Sequence, residues 1–128
     1  MTSQPHFLER PLPSAPDAER LILGAVLVDN ALIAQAAESL RPEHFYSPLH
    51  RQVYAAMLSL FGKSEKIDPI LVGAEMRLLG FEPDSIGGVA TITNLTYGLP
   101  RFEDISAHVD LVLEKHRLRE LVKACGEI

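Results

Sequence analysis

An all-α fold is what the sequence predicts. Apolar residues recur at helical spacing through nearly every segment from position 14 onward. The breaks between those segments hold Pro, Gly, Ser and Asp where helices stop and start. Only the stretch 89–97 has the Val, Ile and Thr content of a strand, and nothing elsewhere could pair with it. A chain of 128 residues suits one compact domain. With 47% hydrophobic residues, 6% aromatics and no tryptophan, its core has to be built from Leu, Ile, Val and Ala.

Residues 1–13 carry Pro5, Pro11 and Pro13 without an apolar period and read as a flexible tail. The first helix starts after Ser14, with Asp17 in a capping-box-like position and Pro16 suited to a first turn. It runs to about Val28, and its stretch Leu21-Ile22-Leu23-Gly24-Ala25-Val26-Leu27-Val28 is apolar nearly all round, the mark of a central buried helix. Gly24 sits in its middle, where glycine costs about 1 kcal/mol against alanine; close approach of another helix is the expected compensation. Glu19 enters this helix beside Arg20, and a structural hydrogen bond or an exposed first-turn position accounts for it better than a catalytic role. Asn30 is placed to cap a second helix over 31–40.

The stretch 40–51 is the most informative. Pro42 disfavours helical geometry at Arg41, so the second helix ends there. Ser47 then offers an N-cap and Pro48 a first-turn proline. Between them Phe45 and Tyr46 plug a joint between helices. His50 reads as a hydrogen-bonded histidine that locks the helix start, because a half-buried imidazole needs partners; a metal site from His44, His50 and Glu43 is disfavoured.

The third helix spans Pro48 to about Phe61, with Val53, Tyr54, Met57, Leu58 and Phe61 on one face and Gly62 as the residue that ends it. Asp68 and Pro69 repeat the cap-and-proline pair and open a fourth helix over 69–79, with Leu71, Val72, Met76 and Leu79 inward and Gly80 at its end. Residues 81–88 form a loop, 89–97 a short helix, and Gly98-Leu99-Pro100 another break. Asp104 caps a final helix that covers 105–126 at least, about 22 residues and roughly 33 Å at 1.5 Å per residue. Leu111, Leu118 and Cys125 recur every seven residues along it, with Leu121 and Val122 beside them, and such a stripe calls for a partner helix. Cys125 on that stripe reads as a packed thiol. The pattern is uncapped at Ile128, so a longer protein is expected.

The net charge of −5 argues against phosphate-driven binding of nucleic acid by the domain as a whole, which needs clustered Lys and Arg. The densest basic run, Lys115-His116-Arg117-Leu118-Arg119, is flanked by Glu114 and Glu120 and reads as a solvated helix face. Gly87-Gly88 lacks the Lys-Ser/Thr of a P-loop, so these residues hold no ATP site. Neither a Gly-x-Ser-x-Gly elbow nor a His-Glu-x-x-His motif occurs. Glu43, Asp68, Glu103 and Asp104 lie near positive helix ends, which explains them without catalysis. The lone Cys125 excludes a disulfide framework and a cysteine zinc site and points to a reducing cytoplasm. No apolar run approaches the roughly 20 residues of a membrane span, and the start lacks a signal-peptide core. No catalytic, cofactor-binding or metal-binding residue emerges.

Several segments together carry a resemblance. They are Asp17-Ala18-Glu19-Arg20-Leu21-Ile22-Leu23-Gly24-Ala25-Val26-Leu27, Leu40-Arg41-Pro42-Glu43-His44-Phe45-Tyr46 followed by His50-Arg51, Ile67-Asp68, Gly87-Gly88, and Val112-Leu113-Glu114-Lys115 leading to Leu118-Arg119-Glu120-Leu121. In order and spacing, over 13–128, the chain resembles the N-terminal domain of the DnaB family of bacterial replicative DNA helicases. It departs from the family at His108, where a tyrosine is usual, and at Leu71, where a threonine is common.

The resemblance implies an all-helical head over 14–100 followed by a helical hairpin, of which 101–128 is the first helix. Such hairpins pair between subunits, and three pairs form the collar of a ring hexamer. Leu111, Leu118, Leu121, Val122 and Cys125 would then form the subunit interface, and Glu19, Gly24, Pro42, Phe45, Tyr46 and His50 the structural signature of the head. The resemblance also implies a separate RecA-like domain that uses ATP and Mg to unwind duplex DNA 5′ to 3′. Primase and, in some bacteria, a helicase loader would be partners, with DNA engaged through the parent protein. The alternative is the helicase-binding domain of a primase, which has a related helical fold. A Walker A motif after Ile128 or a primase core before Met1 separates the two, and the Pro-rich start argues against the latter. A stand-alone helical enzyme is disfavoured for want of a convergent polar cluster.

Overall fold

The computed structural model describes residues 12–82 and 87–126. The first helix, α1 (Pro16–Val28), carries most of the core: Ala18, Ile22, Leu23, Ala25 and Val26 are all buried. Its start differs from the expected Ser14 cap. Ala15 is the N-cap residue and no side chain caps the helix. Pro16 at the first position gives up an N–H that had no partner anyway, and the Ala15 carbonyl accepts the Glu19 N–H at 3.0 Å. Gly24 does mark a close approach, but the neighbour is the backbone of a 3₁₀ turn (Asn94–Thr96) and not a full helix.

Helix α2 (Leu32–Ser39) starts from Ala31, and Asn30 does not cap it. The Asn30 amide instead donates to the carbonyls of Val26 at 2.9 Å and Ile67 at 2.8 Å, while its oxygen accepts the Ile67 N–H at 2.9 Å. It thereby staples the end of α1 to a segment 37 residues away. A 3₁₀ turn (Pro42–His44) leads into α3 (Pro48–Gly62), where Ser47 is the N-cap, accepting the His50 N–H.

Helix α3 buries His50, Val53, Tyr54, Ala56, Met57 and Leu60. Leu58 is half-buried and Phe61, expected inward, is 43% exposed. The Tyr54 hydroxyl donates to the Leu40 carbonyl at 3.0 Å, and burial pushes its pKa up. Gly62 is the last helical residue and not the left-handed residue that stops the helix. That residue is Ser64, φ +58°, with Glu65 N–H bonded to Leu60 and Ser64 N–H to Phe61, the 6→1 and 5→2 pattern of a Schellman end. Left-handed geometry costs a non-glycine residue roughly 1–2 kcal/mol, part of which glycine returns as lost chain entropy. Ser64→Gly is therefore expected to stabilise the domain by about 0.5–1 kcal/mol, read as a rise in the urea midpoint at unchanged slope.

Helix α4 (Pro69–Leu78) is capped by Asp68, which accepts the Leu71 N–H at 2.8 Å, and ends in the same motif with Gly80 at φ +89°. Val72 and Met76 are buried as expected and Leu71 is half-buried, but Leu79 is 44% exposed. Glu75 is buried in its place. Lys63 Nζ lies 2.8 and 3.1 Å from its two oxygens and the Ser59 hydroxyl donates to it. These two partners hold its carboxyl below the usual range.

The expected short helix over 89–97 is present as α5 (Gly88–Thr93), running on into the 3₁₀ turn at Asn94–Thr96. Arg20 Nη2 donates to the Asn94 and Tyr97 carbonyls at 3.3 and 3.0 Å and binds that turn to α1. Part of the expected loop, 83–86, and most of the expected tail, 1–11, lie outside the described residues. The last helix, α6 (Ser106–Gly126), is preceded by Asp104, whose carboxylate accepts the Ser106 N–H and hydroxyl and the Gln35 amide; its carboxyl is held low by these bonds, Gln35 first.

Ile105, Val109 and Val112 are buried and α6 packs on α1, so the first half of this helix is part of the head's core. Among the described residues no strand occurs, and no helix is long and apolar enough to cross a membrane.

Candidate interaction site at the joint and the last helix

The expected signature residues converge except for Gly24, which lies apart against Leu95. Glu19 projects from the first turn of α1 and is 1% exposed. Its Oε2 accepts the Tyr46 N–H at 2.7 Å, and Oε1 accepts the Ser47 N–H at 3.3 Å and the His50 Nδ1–H at 2.8 Å. Burial pushes its pKa up, but the His50 ring and the two backbone N–H groups outweigh that and hold the carboxyl below its ordinary value. An ionised carboxylate that accepts three bonds from its own protein acts as a brace between α1 and the joint, the structural hydrogen bonding that was one of its two expected readings.

Phe45 is fully buried, with its ring 4.9 Å from that of Tyr54. Tyr46 does not plug the joint: it is 38% exposed, and the Arg119 guanidinium lies over its ring at 5.2 Å. Arg51 Nη1 reaches the carbonyls of Phe45 and Tyr46 at 3.4 and 3.3 Å and closes the joint from α3.

Arg119 overturns the reading of the basic run as a solvated face. It is 4% exposed; Nη1 donates to the Pro13 carbonyl at 2.9 Å and Nη2 to the His44 carbonyl at 2.8 Å. One guanidinium thus ties α6 to the 3₁₀ turn and to the chain leading into α1. The signal was present in the spacing, because Ile105, Val109, Val112, His116 and Arg119 continue one helical stripe at i+4, i+7, i+11 and i+14. His116 sits on that stripe with its ring 4.7 Å from the His44 ring at 65°.

The expected interface residues lie on the other side of α6. Leu111 is 38% exposed, Leu118 37%, Leu121 61% and Val122 47%, and Cys125 is exposed. Among the described residues, Cys125 is therefore not packed. His108 meets the Phe102 ring edge-on at 5.8 Å, and its buried Nδ1 has no hydrogen-bond partner among the described residues. Among the described residues no three His, Cys, Asp or Glu side chains are grouped so as to hold a metal ion. A cleft of 380 Å³ lined by Pro42, Arg51 and Phe81 among others is open to solvent.

Residues 11–114 match the family model described as "DnaB-like helicase N terminal domain". The replicative DNA helicase DnaB of Geobacillus stearothermophilus is 34% identical over 122 residues, 95% of this chain and 27% of that protein. The replicative DNA helicase DnaB of Mycobacterium leprae is 36% identical over 107 residues, 84% of this chain and 18% of that protein. The chain thus spans about a quarter or less of the length of the curated relatives it matches. The crystal structure of the N-terminal domain of DnaB helicase from Mycobacterium tuberculosis superposes with a TM-score of 0.84 at 35% identity, covering 91% of this chain and 81% of that one. The N-terminal domain of DnaB helicase from Helicobacter pylori, described together with its interactions with primase, superposes with a TM-score of 0.70. It covers 87% of this chain and 85% of its own at 18% identity, a likeness of fold alone.

Proposed function

Because this chain belongs to the DnaB-like helicase N-terminal domain family, we propose that it is the assembly and protein-interaction domain of a replicative, ATP-dependent 5′–3′ DNA helicase. The observation that carries this reading is the outer side of α6. Leu111, Leu118, Leu121 and Val122 stand exposed on a helix whose opposite side is already used by the head. An apolar helical stripe in water wants a second helix, and a second copy of this protein supplies one with the same stripe. Subunits paired in this way build a collar, three pairs to a ring.

The head, closed by the first half of α6, stands beside that pair and offers its surface to primase and to a helicase loader. The net charge of −5 favours protein contact over direct contact with DNA. ATP and Mg belong to a motor domain elsewhere in the parent protein, which engages the DNA. The parent works in the cytoplasm, where the Cys125 thiol stays reduced. Family membership favours this helicase reading over the primase one.

Leu118→Glu tests the interface. A carboxylate on the apolar seam is expected to weaken self-association at least about tenfold, which corresponds to only about 1.4 kcal/mol, while the head stays helical. Sedimentation equilibrium reads the first and circular dichroism the second. Unchanged sedimentation with native dichroism removes Leu118 from the interface.

A further inference from the structure

We propose that His44, packed against His116, is an acid-sensitive latch: a proton taken up by His44 releases the C-terminal half of α6 from the head, while the core stays folded. Nδ1 of His44 accepts the Arg41 N–H at 2.9 Å, so in the docked state this nitrogen carries no proton and the ring N–H is on Nε2. Protonation puts an N–H on Nδ1, where it faces the Arg41 N–H; two donors then oppose each other and the turn loses its bond.

The new charge also has poor company. From its own turn Arg41 and Glu43 face it. From α6 come His116, 4.7 Å ring to ring, and Arg119, bonded to the His44 carbonyl. Glu120 is turned toward His116 Nε2 at 3.8 Å. On α3, Arg51 is occupied by the Phe45 and Tyr46 carbonyls, and His50 by Glu19 of α1. Glu43 alone of the groups acting on His44 favours the imidazolium. Burial, the strongest influence, and then His116, Arg41 and Arg119 outweigh it and hold the His44 pKa below its ordinary value.

The sign follows from linkage. The docked state binds the proton less well than the undocked one, so docking is at full strength above an ordinary histidine pKa of about 6.5. It weakens as pH falls below that and levels off once pH passes the docked value. Release is local because of what holds each half of the helix. Ile105, Val109 and Val112 anchor the first half in the core, whereas beyond Val112 only Arg119 is buried among the described residues. The second half is therefore held by Leu113, half-buried against the core, by the Arg119 bonds to Pro13 and His44, by the Arg119 guanidinium over the Tyr46 ring and by the histidine contact. The latch rests on contacts within one chain and not on the self-association reading, so the two can fail separately.

Hydrogen–deuterium exchange of the 128-residue chain at pH 7.5 and 5.5, corrected for intrinsic rates, tests it. Amides of 116–126 are expected to lose protection at the lower pH, by about tenfold at most, with α1 and α3 unchanged. In His44→Asn the side-chain oxygen replaces Nδ1 as acceptor for the Arg41 N–H but takes up no proton, and protection becomes independent of pH. Undiminished protection of the wild type at pH 5.5, equal loss in α1 and α3, or the same pH response in a folded H44N overturns the latch. If H44N fails to fold, His116→Gln decides: it removes the facing imidazole, so a smaller response supports the latch and an unchanged one overturns it.

Discussion

Glu19→Ala is expected to destabilise the domain by about 3–5 kcal/mol, the usual cost of stripping one partner from a buried charged pair. Three donors lose their acceptor at once: the Tyr46 and Ser47 N–H groups and the His50 ring. Each is buried or half-buried, and an unmade bond there costs its full desolvation. Against a typical total of about 5–15 kcal/mol, that consumes much of the fold's stability. Guanidinium unfolding curves read it directly. A loss below about 1 kcal/mol means that the joint is held by packing of Phe45 and not by the carboxylate.

The charge itself has a pH signature. The carboxyl lies below its ordinary value in the folded state, so its contribution is complete above an unfolded Glu pKa of about 4.3 and is lost as pH falls through the folded value. Glu19→Gln, which keeps the volume and one acceptor oxygen, is expected to fall between wild type and alanine and to flatten the acid limb of the stability curve.

Gly24→Val is expected to cost roughly 3 kcal/mol, with Gly24→Ala milder in the same direction. A Cβ at position 24 would stand 2.3 Å from the Leu95 carbonyl oxygen and 2.3 Å from Leu99 Cδ1. The leucine tip can swing away, but the carbonyl belongs to a turn that Arg20 already holds against α1. Alanine would return about 1 kcal/mol of helix propensity and still leave that carbonyl in place. Valine adds branches in the same space and little propensity. Thermal unfolding measures the loss, and faster exchange at 94–99 shows that the turn has been lifted from α1.

Much of this architecture is local and therefore legible in the residues. Ser47, Asp68, Pro48, Pro69 and Gly80 act within a few positions of themselves, and they sit where their chemistry predicts. What escaped depends on partners far along the chain. Asn30 has the residue type of a cap, yet Ile67 offers it more bonds than α2 does. Glu75 displaces Leu79 from the inside of α4 because Ser59 and Lys63 come from another helix to receive it.

Phe45 and Tyr46 look alike as a pair of aromatics. The backbone at Phe45 is extended, and neighbouring side chains on extended chain point opposite ways, so burying one exposes the other. Ser64 and Gly62 compete for the left-handed position, and the reach of Glu65 N–H back to Leu60 decides for the less suited residue. The outer stripe of α6 was legible as apolar spacing, whereas Arg119 on the inner one was masked by its charge.

Arg119 bonds Pro13 across 106 residues and His44 across 75. A chain is synthesised from its N-terminus, and contacts this distant close late. When α1 leaves the ribosome, the cover that Val109 and Val112 provide does not yet exist, and its apolar circumference waits for them. The nascent domain can form its hairpins of neighbouring helices early, but its seam is sealed by a guanidinium translated late in the domain. A product truncated within α6 before Arg119 is thus left with its seam unsealed.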